Sequence, residues 1–367
     1  MSDLDELNIV STKKETDRKC PSCGGVMDFS PSTGGLSCPY CDHTETIPVE
    51  EEAPTEAEEL DFNTAELTAN CNWGVETKTV LCNACSAESI YDSLQTSAVC
   101  PFCGSNQVME ARSEQSIAPG GVVPFQISDK DAASRFHKWI NKKWFCPKLA
   151  KESAKPKSFN GIYLPYWTFD TNAFTEYRAQ FGIDHTTHDK DGKSHTTTNW
   201  YHTSGEYREF IDDQLVLASK NHNESILYGL EPYTTKDNKS YKPEYVAGFV
   251  AERYSIGLKE AWEIAKKSIY NKLTNHITDQ VQQKKHADHV KDLHINPIYS
   301  DITYKYLLLP VWISNFKYKD KIYQFMVNGQ TGKVSGKTPV SALRVALAIF
   351  IGIVIVSGLY YLKQNVF

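Results

Sequence analysis

Four Cys-x-x-Cys pairs occupy the first third of the chain, and their spacing leaves few ways to fold it. Cys20-Pro-Ser-Cys23 is followed by Cys38-Pro-Tyr-Cys41, and Cys82-Asn-Ala-Cys85 by Cys100-Pro-Phe-Cys103, with fourteen residues (24–37 and 86–99) between the pairs each time. Two thiolates separated by two residues sit on one tight turn, and a connection of this length allows a short hairpin that brings the second turn opposite the first. Four thiolates at about 2.3 Å make a closed, tetrahedral, structural zinc site. The spacing therefore predicts two zinc ribbons with two structural Zn2+ ions, one held by Cys20, Cys23, Cys38 and Cys41, the other by Cys82, Cys85, Cys100 and Cys103. A redox dithiol would need a βαβ setting that neither pair has. The other two cysteines, Cys71 and Cys146, read as ordinary buried thiols.

The far end of the chain imposes the second constraint. Val345 to Leu362 is an uncharged run rich in Ile, Val, Leu and Ala, and a bilayer core of about 30 Å is crossed by ~20 apolar residues in a helix. Segment 340–362 thus predicts one transmembrane helix, apolar all round where a core helix would keep a polar stripe. Lys305, Lys317, Lys319, Lys321, Lys333, Lys337 and Arg344 crowd its near flank and only Lys363 lies beyond, which puts the N-terminal part in the cytosol. No apolar leader opens the sequence, so a single-pass, tail-anchored membrane protein is expected, with residues 363–367 as a short extracytosolic tail.

Charge divides the chain. Residues 1–110 carry 5 Lys and Arg against 20 Asp and Glu, net −15, and the remainder carries 34 against 25, net +9, which together give the −6 of the whole. An acidic N-terminal part is repelled by nucleic acid and by an anionic leaflet, whereas the basic remainder is drawn to that leaflet. The reading is a polar leader (1–18), a first ribbon (19–45), an acidic linker expected to be a solvated spacer (46–69), a second ribbon (70–111) and a cytosolic body (112–338).

The body reads as α+β. A helix is predicted from about Lys130 to Phe145, N-capped by Asp129, with Phe136, Trp139, Ile140 and Trp144 as its apolar stripe, and a long helix from about Leu258 to Leu293. Strands are predicted over 161–170, 174–183, 200–210, 214–219, 304–316 and 321–327, with a polar loop, DHTTHDKDGKSHTTTN, at 184–199 and a turn at Asn328-Gly329. Leu164-Pro165-Tyr166-Trp167 and Leu309-Pro310-Val311-Trp312 echo one another in similar strand contexts, which suits two related halves. No catalytic constellation emerges. Gly332 to Thr338 resembles a phosphate-binding loop but is one residue short, and the loop histidines His185, His188, His195 and His202, like His286, His289 and His294, read as solvated side chains. An enzyme is not expected.

The ribbons resemble those of transcription factor IIB and of the primosomal helicase. With IAPGGVVPF, GIYLPYWTFD, LLPVWISNFKYKDK and VNGQTGKVSGKTP in the body and an anchor at the end, the whole resembles a family of bacterial tail-anchored zinc-ribbon membrane proteins. That resemblance implies partners of the SPFH (flotillin-like) and phage-shock-protein A type, recruited to the inner face of the membrane in envelope stress or membrane maintenance. The expected function is a non-enzymatic membrane adaptor; the alternative is a membrane-tethered zinc-ribbon nucleic-acid-binding protein in replication or transcription, which the acidic ribbons argue against.

Overall fold

The computed structural model describes residues 19–48, 54–65, 77–83, 88–92, 100, 108–110, 118–152, 159–189, 193–318 and 321–366. The first ribbon is an antiparallel sheet of β1 (Asp28–Ser30), β2 (Gly35–Ser37) and β3 (Thr44–Glu45). There follow β4 (Leu60–Asp61), then β5 (Thr77–Cys82), β6 (Glu88–Asp92) and β7 (Val108–Glu110) in the segment expected to form a second ribbon. The body runs β8 (Gly121–Val122), α1 (Asp129–Asn141), α2 (Lys148–Glu152), β9 (Asn160–His188), β10 (Ser194–Leu217), α3 (Glu224–Tyr228), β11 (Lys239–Ser240), α4 (Pro243–Val246), β12 (Val250–Glu252), α5 (Leu258–Lys285), β13 (His289–Tyr318), β14 (Lys321–Asn328) and β15 (Val334–Gly336). A last helix, α6, spans Ala342–Val366. The architecture is mixed α+β around one curled, mostly antiparallel sheet.

Inside the body one supersecondary unit occurs twice. A short strand, a helix, a long strand and a returning strand follow in order as β8-α1-β9-β10 and again as β12-α5-β13-β14. Each short strand lies parallel to the long strand of the other unit: Val250 and Ala251 pair with Ile162 and Tyr163, and Gly121 and Val122 pair with Leu307 and Leu308. Pairing with the returning strands starts at Tyr166 of β9 and at Val311 of β13. Ile162 and Leu307, Tyr163 and Leu308, and Tyr166 and Val311 are each 145 positions apart, and β9 pairs antiparallel with β13 so that Leu164 faces Leu309. The hydrogen bonds repeat too. Trp167 Nε1 donates to Ile256 O (2.9 Å) and Trp312 Nε1 to Ile127 O (2.8 Å); Ala218 N donates to Pro165 O (2.9 Å) and Gly329 N to Pro310 O (2.8 Å).

The echoed Leu-Pro-x-Trp segments are therefore the sequence trace of a pseudo-two-fold axis. Their prolines sit inside central strands without breaking them. A strand residue points N–H and C=O to the same neighbour, and beside Pro165 that neighbour changes from β12 to β10, so the missing N–H falls in the gap between them.

Beyond this base, β9, β10 and β13 run on as a three-stranded arm. Residues 162–170 are buried on both faces, and the sequence there is nearly all apolar, as such strands require. From Asn172 the pattern alternates: Ala173, Thr175, Tyr177 and Ala179 are buried while Asn172, Glu176 and Arg178 are exposed. The buried face is covered by α5 through Ala261, Trp262, Ala265, Ile269, Leu273, Ile277 and Val281. The long helix expected to reach Leu293 ends at Lys285, where His286 takes a left-handed conformation (φ +49) and turns the chain back as β13. The expected polar loop at 184–199 is largely strand, because threonine suits a pleated surface; the hairpin closes only at Asp189 N–H to Lys193 O (3.0 Å).

Two further expectations change. Residues 54–65 of the acidic linker are stitched to the body and are not a solvated spacer: Leu60 and Asp61 pair with Tyr304 and Thr303, Asn238 Oδ1 accepts from Ala57 N–H (2.7 Å), and Ser240 Oγ donates to Pro54 O (2.6 Å). The predicted span at 340–362 forms as α6, yet among the described residues no helix is long and apolar enough to cross a membrane. The side chains at 359 and from 362 onward lie outside the description, so the described apolar run stops at Gly358, short of the ~20 residues a bilayer core asks for.

Candidate metal centre and its surroundings

The two turns of the first ribbon are built alike. Cys20 N–H donates to Gly25 O (2.7 Å) and Gly24 N–H to Cys20 O (2.8 Å); Cys38 N–H donates to His43 O (2.8 Å) and Asp42 N–H to Cys38 O (3.0 Å). The residue that closes each turn has positive φ, Gly24 at +76 and Asp42 at +59, and aspartate is among the few non-glycine residues that adopt this region readily. The turns bring Cys20 Sγ to 3.4 Å from Cys41 Sγ and Cys23 Sγ to 3.5 Å from Cys38 Sγ, with all four sulfurs within 4.8 Å of one another. Zinc–sulfur bonds of about 2.3 Å give a tetrahedron with edges of about 3.8 Å. This donor set fits one zinc ion.

Electrostatics favours metal at this place. Burial works against a thiolate at Cys20, but the N–H groups of Ser22 and Cys23 and then the Cys41 thiol outweigh it and bring Cys20 down to about 6. At Cys41 the His43 N–H favours the thiolate, yet the Cys20 thiol, burial and the other two cysteines push it up to about 12. Four crowded sulfurs cannot all ionise without a cation among them.

The ribbon is packed onto the body. Cys20, Met27, Phe29, Leu36 and Cys38 belong to the main apolar core. Phe29 N–H donates to Ala247 O (3.0 Å), and the Phe29 ring meets Tyr245 edge-on at 6.0 Å. Gly248 (φ +79) is required there, because a Cβ would lie 2.7 Å from Asp28 Cγ. In the segment expected to form a second ribbon, β6 joins the central sheet through β12 (Ile90 with Ala251, Ser89 with Glu252), and Cys82 and Cys100 are buried. Cys85, Cys103 and Cys71 lie outside the described residues, so one four-cysteine cluster is present among those described and a second is not seen.

A knot of charge marks the foot of the arm, and no sequence pattern announced it. Bulges in β10 (Asp212-Asp213) and β13 (Asp301-Ile302) flank Asp170 and Thr171 of β9, with Asp213 and Asp301 at φ +46 and +52. Lys305 Nζ reaches Asp213 Oδ1 (3.0 Å) and Glu59 Oε1 (3.2 Å), and Asp213 N–H donates to Asp170 Oδ1 (2.6 Å). Burial raises Asp170 to about 6, against the Asp213 N–H and Lys305 and with the help of Glu59. Asp170, Asp212 and Asp213 also bring carboxylates together, but the Lys305 ammonium already sits at Asp213.

The histidines of the arm go separate ways. His289 Nε2 lies 3.0 Å from Asp184 Oδ2, His195 Nε2 3.2 Å from Asp189 Oδ2, and His188 Nδ1 3.2 Å from Ser194 Oγ. Of the expected juxtamembrane cations, Lys333 is exposed and donates to Glu231 O, Lys337 is exposed, and Arg344 lies at the root of α6. Lys319 and the side chains of Lys317 and Lys321 fall outside the described residues. Trp144, expected in the core stripe of α1, is instead half exposed, because the helix ends at Asn141 and only Phe136 and Ile140 of that stripe are fully buried. The N-cap is Ser128, one residue earlier than expected, accepting from Asp131 N–H.

No family model matches the sequence, and no solved structure matches it. The chain is 32% identical over 334 residues to the uncharacterized protein YdjG of Bacillus subtilis (strain 168), a match that covers 89% of this chain and 91% of that protein. With a cysteine cluster, a duplicated body and a terminal apolar helix all inside one chain and a match of that extent, the protein belongs to the family of Bacillus subtilis YdjG.

Proposed function

We propose that this protein is a membrane-anchored adaptor, not an enzyme, which holds cytosolic proteins at the inner face of the bacterial membrane. The observation that carries the reading is α6. Leu347, Ile349, Phe350, Ile351, Ile353, Val354, Ile355 and Val356 are all exposed, and consecutive helical residues point about 100° apart, so every side of the helix is apolar and bare. Water is a poor solvent for such a surface, and a lipid core is a good one.

The partner class is the SPFH (flotillin-like) or phage-shock-protein A type, in keeping with the sequence resemblance. Zinc in the first ribbon would be structural: its four thiolates leave no open coordination position for chemistry. A partner would find exposed apolar side chains among charges on the bare face of the arm, where Phe210 is 59% and Ile298 62% exposed and the Arg208 guanidinium lies 5.0 Å from the Phe174 ring centre. Mixed surfaces of this kind suit transient protein docking.

The test is fractionation of cells expressing the full chain or a chain ending at Ser341, followed by affinity capture in the presence of DNase. The shortened chain and its captured partner should both move to the cytosol. A partner that stays on the membrane regardless, or a captured set consisting of nucleic-acid enzymes that DNase releases, would overturn the adaptor reading, the latter in favour of the nucleic-acid alternative.

A further inference from the structure

After α1 the chain takes a basic, aromatic step whose largest apolar side chains stay exposed. Trp144 is 50%, Phe145 42% and Leu149 69% exposed, while Cys146 and Ala150 among them are buried. The two rings meet edge-on at 5.1 Å. This step is bonded to the root of α6: Ser341 N–H donates to Phe145 O (2.9 Å), and Arg344 Nη1 donates to Trp144 O (2.5 Å) and Cys146 O (2.8 Å). Val340 and Leu343, 64% and 81% exposed, stand at the same root. Lys142, Lys143, Lys148 and Lys151 belong to the same segment; Lys143 Nζ lies 4.8 Å from the Trp139 ring centre and Lys151 Nζ donates to Asn141 O (3.0 Å). The single acid of the 142–152 step, Glu152, lies 3.8 Å from Lys148.

We propose that this collar is a second membrane contact, covered by the headgroup and interfacial layer of a bilayer that contains anionic lipid. The proposal rests on the reading of α6 as an anchor and adds a site to it. A bilayer is the occupant that fits because the collar is hydrogen-bonded to the base of a helix whose residues 345–358 carry no charge, so inserting that helix brings the collar to the surface it leaves. Indole and phenyl rings favour the interfacial depth, and lysines can lay their stems on it while reaching lipid phosphates. Trp144 and Phe145 would enter the interface, and the four lysines would bind phosphate oxygens. Two contacts, helix and collar, would fix the tilt of the body over the membrane where a single helix would leave it free to swing.

The experiment uses the full chain reconstituted in lipid nanodiscs, of phosphatidylcholine alone or with phosphatidylglycerol added, and lipid brominated near the headgroup end of its tails as a short-range quencher. The chain has 7 tryptophans, so the Trp144 signal is taken as the difference from Trp144→Tyr. Quenching of Trp144 should be at least about twofold stronger in the anionic discs, and should fall at least about twofold when Lys142, Lys143, Lys148 and Lys151 are all changed to Glu while the chain stays in the disc. Absence of Trp144 quenching in a chain that remains inserted would overturn the collar and leave the anchor standing. A chain that never enters the disc would overturn the anchor, and the collar with it.

Discussion

The two halves of the body share a core and part company at one place, the connection from helix to long strand. In the first half α1 stops at Asn141, residues 142–152 make the basic step and the short α2, and β9 begins at Asn160. In the second half the equivalent helix, α5, continues for 28 residues and the chain returns from its far end as β13. One connection is hydrogen-bonded to the root of α6, and the other is a long arm. The lesson is that the duplicated base sets the fold, while the connection that leaves it is free to grow because its growth disturbs no base contact.

Breaking the base should cost most, and it should cost both halves alike. Trp167→Ala and Trp312→Ala each remove a large buried side chain and an indole hydrogen bond, so each should lower unfolding free energy in urea by about 3–5 kcal/mol. A difference beyond about 2 kcal/mol between them would show that the halves are not energetically equivalent.

Lys305 belongs to the charge knot at the foot of the arm, and the corresponding position of the first half, Asn160, carries none. Lys305→Met leaves Asp213, Glu59 and Asp170 without their cation and should cost about 3 kcal/mol. The same knot sets a pH dependence. Asp170 is raised to about 6 in the folded chain, so the folded state holds this proton more tightly than the unfolded state does. Its contribution to stability is present in acid and is lost as pH rises from about 4, the unfolded value, to about 6. The substitution removes a charge that lowers Asp170, so the upper end of that window should move to higher pH in a titrated urea midpoint.

A milder change separates arm from base. Ile277→Val trims one methyl from the buried face of α5 and should cost about 1 kcal/mol. Amide exchange should quicken in β9 and β13 beyond Asn172 while the strands around Leu164 and Leu309 keep their protection. Smallest of all, Ile298→Ser on the bare face of the arm should change stability by no more than about 0.5 kcal/mol. A larger loss would mean that this face is covered in the folded protein.

Much of the local structure was legible because it depends on neighbours in sequence. The Cys-x-x-Cys turns of the first ribbon follow from two thiolates and one residue of positive φ apiece, and the starts of α1 and α5 follow from a 3.6-residue apolar stripe. The continuous β9 was not legible. It reads as two strands because its burial changes at Asp170–Asn172, from two covered faces to one, and the period of its apolar residues changes with it. The knot could not be read because its members, 59, 170, 213 and 305, meet only through bulges in two strands. Nor could the collar, since Trp144 continues the helical spacing of α1 past the point where the helix has ended.

By itself, then, the sequence determined the cysteine turns of the first ribbon, the apolar tail helix, the α+β character and the hint of duplication in two Leu-Pro-x-Trp segments, all of which rest on spacing or composition over a few residues. Only the tertiary structure decided that β6 and the acidic segment 54–65 join the central sheet while the first ribbon keeps its own sheet against the body, that Leu164 faces Leu309 across a two-fold axis, and that Phe210 and Ile298 of the arm are exposed. Those outcomes depend on which distant surfaces bury one another, and burial is a property of the packed chain that no short window of residues carries.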